Sequence, residues 1–287
     1  MTSRYSSWAA PAAMFTFVLL WGSAAIFTRW GLDHGSVLAL LTLRFALALG
    51  ALLLIGLPRR RWLPAPGTRW QVAGVGLLLI GFYSMCYFQA MAHGITPGLL
   101  ATLLGVQPIL TLLLTERRFS AWRLLGLLLA LCGLSLVVFQ SLMLARLSAL
   151  GMAFALGALL CTTFGALLQK RIQQAPAEVL PLQYAVTLLL CAVLAPFQPW
   201  HTEPVAGFWV PLLWLGLVIS VGAQLLLYRL IRGGNLVNVT SLFYLVPVVT
   251  VLLDYVVLGN ALPTLALMGM AAILAGMVLV FRSGAGR

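Results

Sequence analysis

Acidic side chains are nearly missing from this sequence: Asp33, Glu116, Glu178, Glu203 and Asp254 are the five among 287 residues. Charge of either sign accounts for 8% of the chain, against roughly 25% in an ordinary soluble domain. A soluble fold of this length needs a charged shell, and there is too little charge here to build one. Histidine is scarce as well, with His34, His93 and His201 alone, and no HExxH, GxSxG or carboxylate pair assembles a nucleophile, base and orienter. The chain is therefore expected not to be an enzyme. A phosphate-binding glycine loop is also missing, which excludes direct ATP coupling. Cys86, Cys132, Cys161 and Cys191 are the four cysteines. They form no CxxC or Cys/His cluster, so they read as small buried apolar residues, with neither metal nor disulfide. No cofactor is expected.

What the chain has in abundance is apolar surface, at 62% of residues. In lipid such a composition is stable, because the surrounding solvent is itself apolar. Apolar runs between charged or Pro/Gly breaks give ten helices, near 10–29, 36–57, 70–92, 96–115, 120–140, 148–170, 178–198, 207–231, 236–258 and 262–282. Each reaches about the 20 residues that span a bilayer. The first run is too long for the apolar core of a signal peptide and is read as a span. The net charge of +12 lies in short clusters such as Arg59-Arg60-Arg61, with no continuous basic face. Nucleic acid is thereby excluded as a partner, and the bilayer with its anionic head groups is expected instead. With the N-terminus in the cytoplasm, 14 of the 17 basic residues fall on the cytoplasmic side, as the positive-inside rule demands. Both termini then lie inside, which an even helix count satisfies.

A shift of the chain on itself by 139 residues places Arg44-Phe45 on Gln183-Tyr184, Gly94 on Gly233 and Pro108 on Pro247. Identity from Gly94 to Leu114 is six of 21 positions, so charge is the better guide. The linker with Arg59-Arg60-Arg61 falls on the His201–Glu203 linker, which has no Lys or Arg, and Glu116-Arg117-Arg118 falls near Gly259-Asn260-Ala261. Loops that are basic in one half are bare in the other. Five crossings per half put the second copy upside down, and its loops must then change sides. The fold expected is an all-α integral membrane protein of about ten transmembrane helices, in two inverted five-helix repeats spanning 1–143 and 144–287.

Trp21-Gly22-Ser23, Arg44-Phe45, Pro108, Glu116, Gly126 and Gly133, with Pro247, Gly259, Gly269 and Gly276 in the second half, resemble the EamA-type branch of the drug/metabolite transporter superfamily. The resemblance covers essentially the whole chain. One departure is Asn260, where this family often carries an acidic residue. The segment from Pro108 to Glu116 is also about one turn shorter than that from Pro247 to Asn260, which predicts a fourth helix that ends early or breaks. The resemblance implies a secondary transporter, typically a bacterial inner-membrane exporter of amino acids or other small metabolites, with some members moving drugs or sugars. It also implies a central cavity with the fifth and tenth helices set away from it. The matched seven-residue spacings of Gly126/Gly133 and Gly269/Gly276 agree, since they suit close helix packing.

Ionisable residues at bilayer depth are costly and mark function or pairing. Arg44 and Asp254 fall at similar depth in the second and ninth helices. Either Arg44 binds a substrate carboxylate while Asp254 receives an amine or proton, or the two form a buried ion pair. Tyr83 and Tyr87 share a helix face, and Gln107 precedes Pro108, whose ring frees a carbonyl. With Trp21, which falls near mid-span, and Gln183, Tyr184, Asn238 and Tyr244, they complete the substrate-binding set. Oligomeric state is not legible. Three functions compete: an amino-acid or metabolite exporter, a multidrug or nucleotide-sugar carrier with an aromatic, acidic pocket, and an intramembrane enzyme. The topology itself is testable: stretches 59–69 and 117–123 are expected to resist membrane-impermeant labels applied from the periplasm, and labelling of either from that side refutes the orientation.

Overall fold

The computed structural model describes residues 9–57, 62–116, 118–139, 143, 148–249, 252 and 263–284. Among them ten apolar helices follow one another: α1 Ala9–Leu32, α2 Val37–Gly56, α3 Arg69–Ala92, α4 Pro97–Thr115, α5 Ala121–Val137, α6 Ala149–Lys170, α7 Pro176–Phe197, α8 Ala206–Gly233, α9 Leu236–Val249 and α10 Thr264–Gly284. Eight of these are long and apolar enough to cross a bilayer, α5 and α9 being the shorter ones. Large side chains such as Leu54, Trp70, Trp122, Leu189 and Phe197 point outward, which is stable only where the surroundings are lipid.

Helix starts are set by short polar residues within an otherwise apolar sequence. Ser36, Thr96 and Ser148 each accept a backbone N–H of the first turn of α2, α4 and α6, and Asn235 Oδ1 accepts those of Val237 and Asn238 in α9. Such caps satisfy N–H donors that the helix itself leaves without partners.

Inversion of the second half is visible where α5 meets α10. A Cβ on Gly126 would lie 2.7 Å from the Gly276 carbonyl oxygen, and one on Gly133 would lie 2.6 Å from that of Gly269. As one chain advances by seven residues the other retreats by seven, so the helices are antiparallel. They are the fifth of each half, so the second half is inverted. Contact this close needs the absence of side chains. The remaining packing obeys the same exchange: α2 packs on α8 as α7 packs on α3, and α1 on α8 as α6 on α3.

The halves also share their irregularities. A π-helical stretch, Leu77–Phe82 in α3, answers another, Trp214–Ala223 in α8, and the break in α4 between Leu104 and Gln107 answers the 3₁₀ turn Leu242–Tyr244 in α9. The fourth helix is thus broken, but the break lies before Pro108 and has a twin. The cause is therefore the crossing of α4 and α9 rather than the shortness of the Pro108–Glu116 segment alone. At that crossing the Tyr244 hydroxyl donates to the Gly105 carbonyl at 2.5 Å. These residues are 139 apart, the repeat offset, so they sit on the pseudo-two-fold axis. Phe45 and Tyr184, also 139 apart, meet on the same axis with ring centroids 5.7 Å apart.

Filling the α5–α10 contact is expected to be destructive. Gly126→Leu should cost about 2 kcal/mol or more by overpacking, read as a lowered Tm in detergent. Gly50→Ala, where an added Cβ meets nothing within 4 Å, should leave Tm unchanged or slightly raised. Equal Tm values for the two variants would refute the assignment of this contact.

Candidate functional site

The broken and widened helices enclose a cavity of about 140 Å³. That is room for several waters or a small metabolite. Its walls come from α1, α2, α3, α4, α6, α7, α8 and α9, and among the described residues α5 and α10 contribute nothing to it. Of the residues singled out in the sequence, Trp21, Arg44, Tyr83, Tyr87, Gln107 and Tyr184 line it together.

Arg44 is the one cation on this wall among the described residues. Its Nε donates to Ser220 Oγ at 2.7 Å, and its guanidinium lies 5.6 Å from the Phe45 ring centroid and 5.8 Å from that of Phe88. The described residues place no carboxylate within ion-pair distance of it. Tyr83 and Tyr87 stand one turn apart with ring centroids 5.8 Å apart. Trp21 packs edge-on against Phe243 from α9 at 5.5 Å, and both rings line the cavity. Gln107, nearly buried, donates to the Thr162 carbonyl at 3.3 Å, joining α4 to α6.

Three residues of the set do not line the cavity. Gln183, fully buried, donates to Gln169 Oε1 at 3.0 Å and accepts from the Tyr228 hydroxyl at 2.8 Å, so it ties α7 to α6 and α8. Asn238 accepts from Arg123, and Tyr244 is spent on the Gly105 carbonyl. Their polar atoms have structural partners, the commoner fate of polar groups between membrane helices. Asp254 lies outside the described residues. Ser84, Thr240 and Phe243, in contrast, are cavity residues that the sequence did not single out, and it also passed over Ser220, which does not line the cavity but holds Arg44 from α8. A lone hydroxyl in an apolar run has no pattern; the signal available for Ser220 was its place opposite Arg44 across α2 and α8.

Both ends of the bundle are tied. At one end Arg123, buried in α5, pairs with Glu116 and donates to Asn235 Oδ1 and Asn238 Oδ1, each at 2.8 Å. Lys170 Nζ there donates to the carbonyls of Ile231, Arg232 and Gly234 at 2.7, 3.1 and 2.6 Å, capping the end of α8. Charge near helix C-terminal carbonyls is favourable. This latch joins α4, α5, α6, α8 and α9 beside Ile231, a residue of the cavity wall.

At the other end the α1–α2 and α7–α8 turns are clasped. Ser36 N–H donates to the His201 carbonyl and Glu203 N–H to the His34 carbonyl, both at 2.9 Å, and His34 Nδ1 meets Glu203 Oε2 at 2.7 Å. His93 stands apart, against Phe154. The hydrogen bond with His34, with His34 and His201 charge adding to it, holds the Glu203 carboxyl below its ordinary range.

Two five-helix repeats, inverted with respect to each other and enclosing a largely apolar cavity with a few polar groups at their interface, are the architecture of a secondary membrane transporter. The EamA-like transporter family matches residues 8–139 and again 149–282. The chain belongs to that family and hence to the drug/metabolite transporter superfamily. Twenty-nine chains of solved structures also match. One crystal structure superposes with a TM-score of 0.79 at 22% identity, over 95% of this chain and 98% of its own. At that identity it speaks for the fold alone. No curated protein matches the chain.

A carboxylate whose folded pKa is depressed adds stability above its unfolded range, and that stability is lost as pH falls through the depressed value. Glu203→Ala is therefore expected to lower Tm at neutral pH, with the gap to wild type closing below about pH 4. A gap that persists unchanged at pH 3 or so would show that Glu203 stabilises the clasp by packing alone.

Proposed function

We propose that this transporter exports small metabolites bearing a carboxylate, amino acids first among them, across the bacterial inner membrane by alternating access. Both termini face the cytoplasm in this reading. The observation that carries it is Arg44: a guanidinium open to an otherwise apolar and aromatic cavity, with no described carboxylate to neutralise it. An uncompensated charge at bilayer depth is costly, and a bound carboxylate would remove that cost. Arg44 is therefore the residue that holds the substrate's carboxylate. Tyr83, Tyr87 and Tyr184 supply hydroxyls around it, Gln107 a further polar contact, and Trp21 with Phe243 an apolar wall for the substrate's side chain. Gln183, Asn238 and Tyr244 serve the frame around the site. Asp254 remains the proposed acceptor of an amine or proton. Passage from one face to the other would come from rocking of the inverted halves about the axis through Tyr244 and Gly105.

A multidrug carrier is the second reading, and the Trp21–Phe243 wall is what favours it. Such a carrier would not need Arg44. In proteoliposomes, Arg44→Ala is expected to raise KM for amino acids by about 10-fold or more, the loss of a charged hydrogen bond. Arg44→Lys should restore transport only in part, because an ammonium cannot reproduce the two-pronged grip of a guanidinium. Unchanged amino-acid transport by Arg44→Ala, or transport of lipophilic cations and no amino acid, would refute the assignment in favour of the multidrug reading.

A further inference from the structure

We infer that Ser220 is the positioning residue of the cavity: it holds Arg44 so that the two terminal nitrogens of its guanidinium face the substrate. This rests on the reading of Arg44 as the carboxylate-binding group.

Ser220 is almost fully buried, at 1% exposure. It lies in the π-helical stretch Trp214–Ala223 of α8, and π-turns inside membrane helices concentrate at functional places. Its side chain and backbone are both engaged. The hydroxyl oxygen accepts from Arg44 Nε at 2.7 Å, and the carbonyl accepts from the Tyr184 hydroxyl at 2.5 Å. Arg44 and Tyr184 both line the cavity, on α2 and α7. One residue of α8 thus sets the orientation of two groups on the wall. A bond at Nε leaves uncovered the edge that carries the paired terminal nitrogens. That edge presents two parallel N–H groups suited to a carboxylate. The described residues give it no hydrogen-bond partner.

Pseudo-symmetry shows that the arrangement exists once. The 139-residue shift sends Arg44 to Gln183 and Ser220 to Gly81. Gly81 has no side chain to offer, and Gln183 is satisfied by Gln169 and Tyr228. A two-fold frame would otherwise carry two anion sites. The substitution of this one pair leaves a single site on one side of the axis, as a carrier of one small anionic ligand requires.

The role separates from mere packing by comparing a carboxylate with its uncharged counterpart. L-leucine and L-leucinamide serve as probes, in binding to purified full-length protein and in proteoliposome flux. Ser220→Ala is expected to weaken L-leucine about fivefold in Kd and KM, the loss of one hydrogen bond. Its kcat and its affinity for L-leucinamide should not change, and Ser220→Thr, which keeps the hydroxyl, should restore L-leucine binding. Equal weakening of both probes, or no effect on either while Arg44→Ala abolishes L-leucine binding, would overturn the role of Ser220 alone. Intact L-leucine binding by Arg44→Ala would remove the anion site itself and the inference with it. Should Ser220→Ala fail to yield folded protein, Ser220→Cys, close in size and a poor acceptor, carries the same comparison.

Discussion

The cavity exists because two helices break where they cross, and the break holds because the Tyr244 hydroxyl satisfies the Gly105 carbonyl. In a bilayer a carbonyl without a donor costs several kcal/mol, on the order of the whole contribution of many core side chains. An unbroken α4 against an unbroken α9 would run through the space that the cavity now occupies. The residue pair that permits the break lies on the symmetry axis, so one hydrogen bond serves both halves.

Around that point the structure separates rigid from permissive parts. The α5–α10 pair is fixed by glycine contacts so close that no side chain fits between backbones. It contributes no described wall to the cavity and acts as a brace. The helices that do line the cavity carry the π-turns, the break and the 3₁₀ turn. Irregular backbone is tolerated at membrane depth only where it faces protein or lines a cavity, and that is where these four irregularities fall.

Helix number, approximate limits and the inversion were legible from apolar runs and from the alternation of basic loops, because lipid imposes both on composition. The role of Gly126, Gly133, Gly269 and Gly276 was legible from spacing. What sequence did not separate was one polar residue from another. Arg44 and Gln183 are equivalent under the repeat, yet one faces the cavity and the other is consumed between α6, α7 and α8. Which way a side chain turns depends on the widened turns of α3 and α8, and π-turns leave no trace in hydropathy. Tyr244 looked like a ligand contact for the same reason: an aromatic hydroxyl in a span reads alike whether its partner is a solute or a carbonyl. Ser220, with no charge or aromatic ring, gave nothing to notice.

The latch of Arg123, Glu116 and Lys170 has no twin. Moved by the repeat offset, these positions become Leu262, Tyr255 and Gly31, none of which can carry the same charges. The halves are therefore twins in shape and unlike in energy. Shutting the Arg123 end gathers charge-assisted bonds of a different kind from the His34–Glu203 clasp at the opposite end. A carrier that swaps between mirror-related shapes would thus idle in one of them, and its empty return stroke and its loaded stroke would climb barriers of different height.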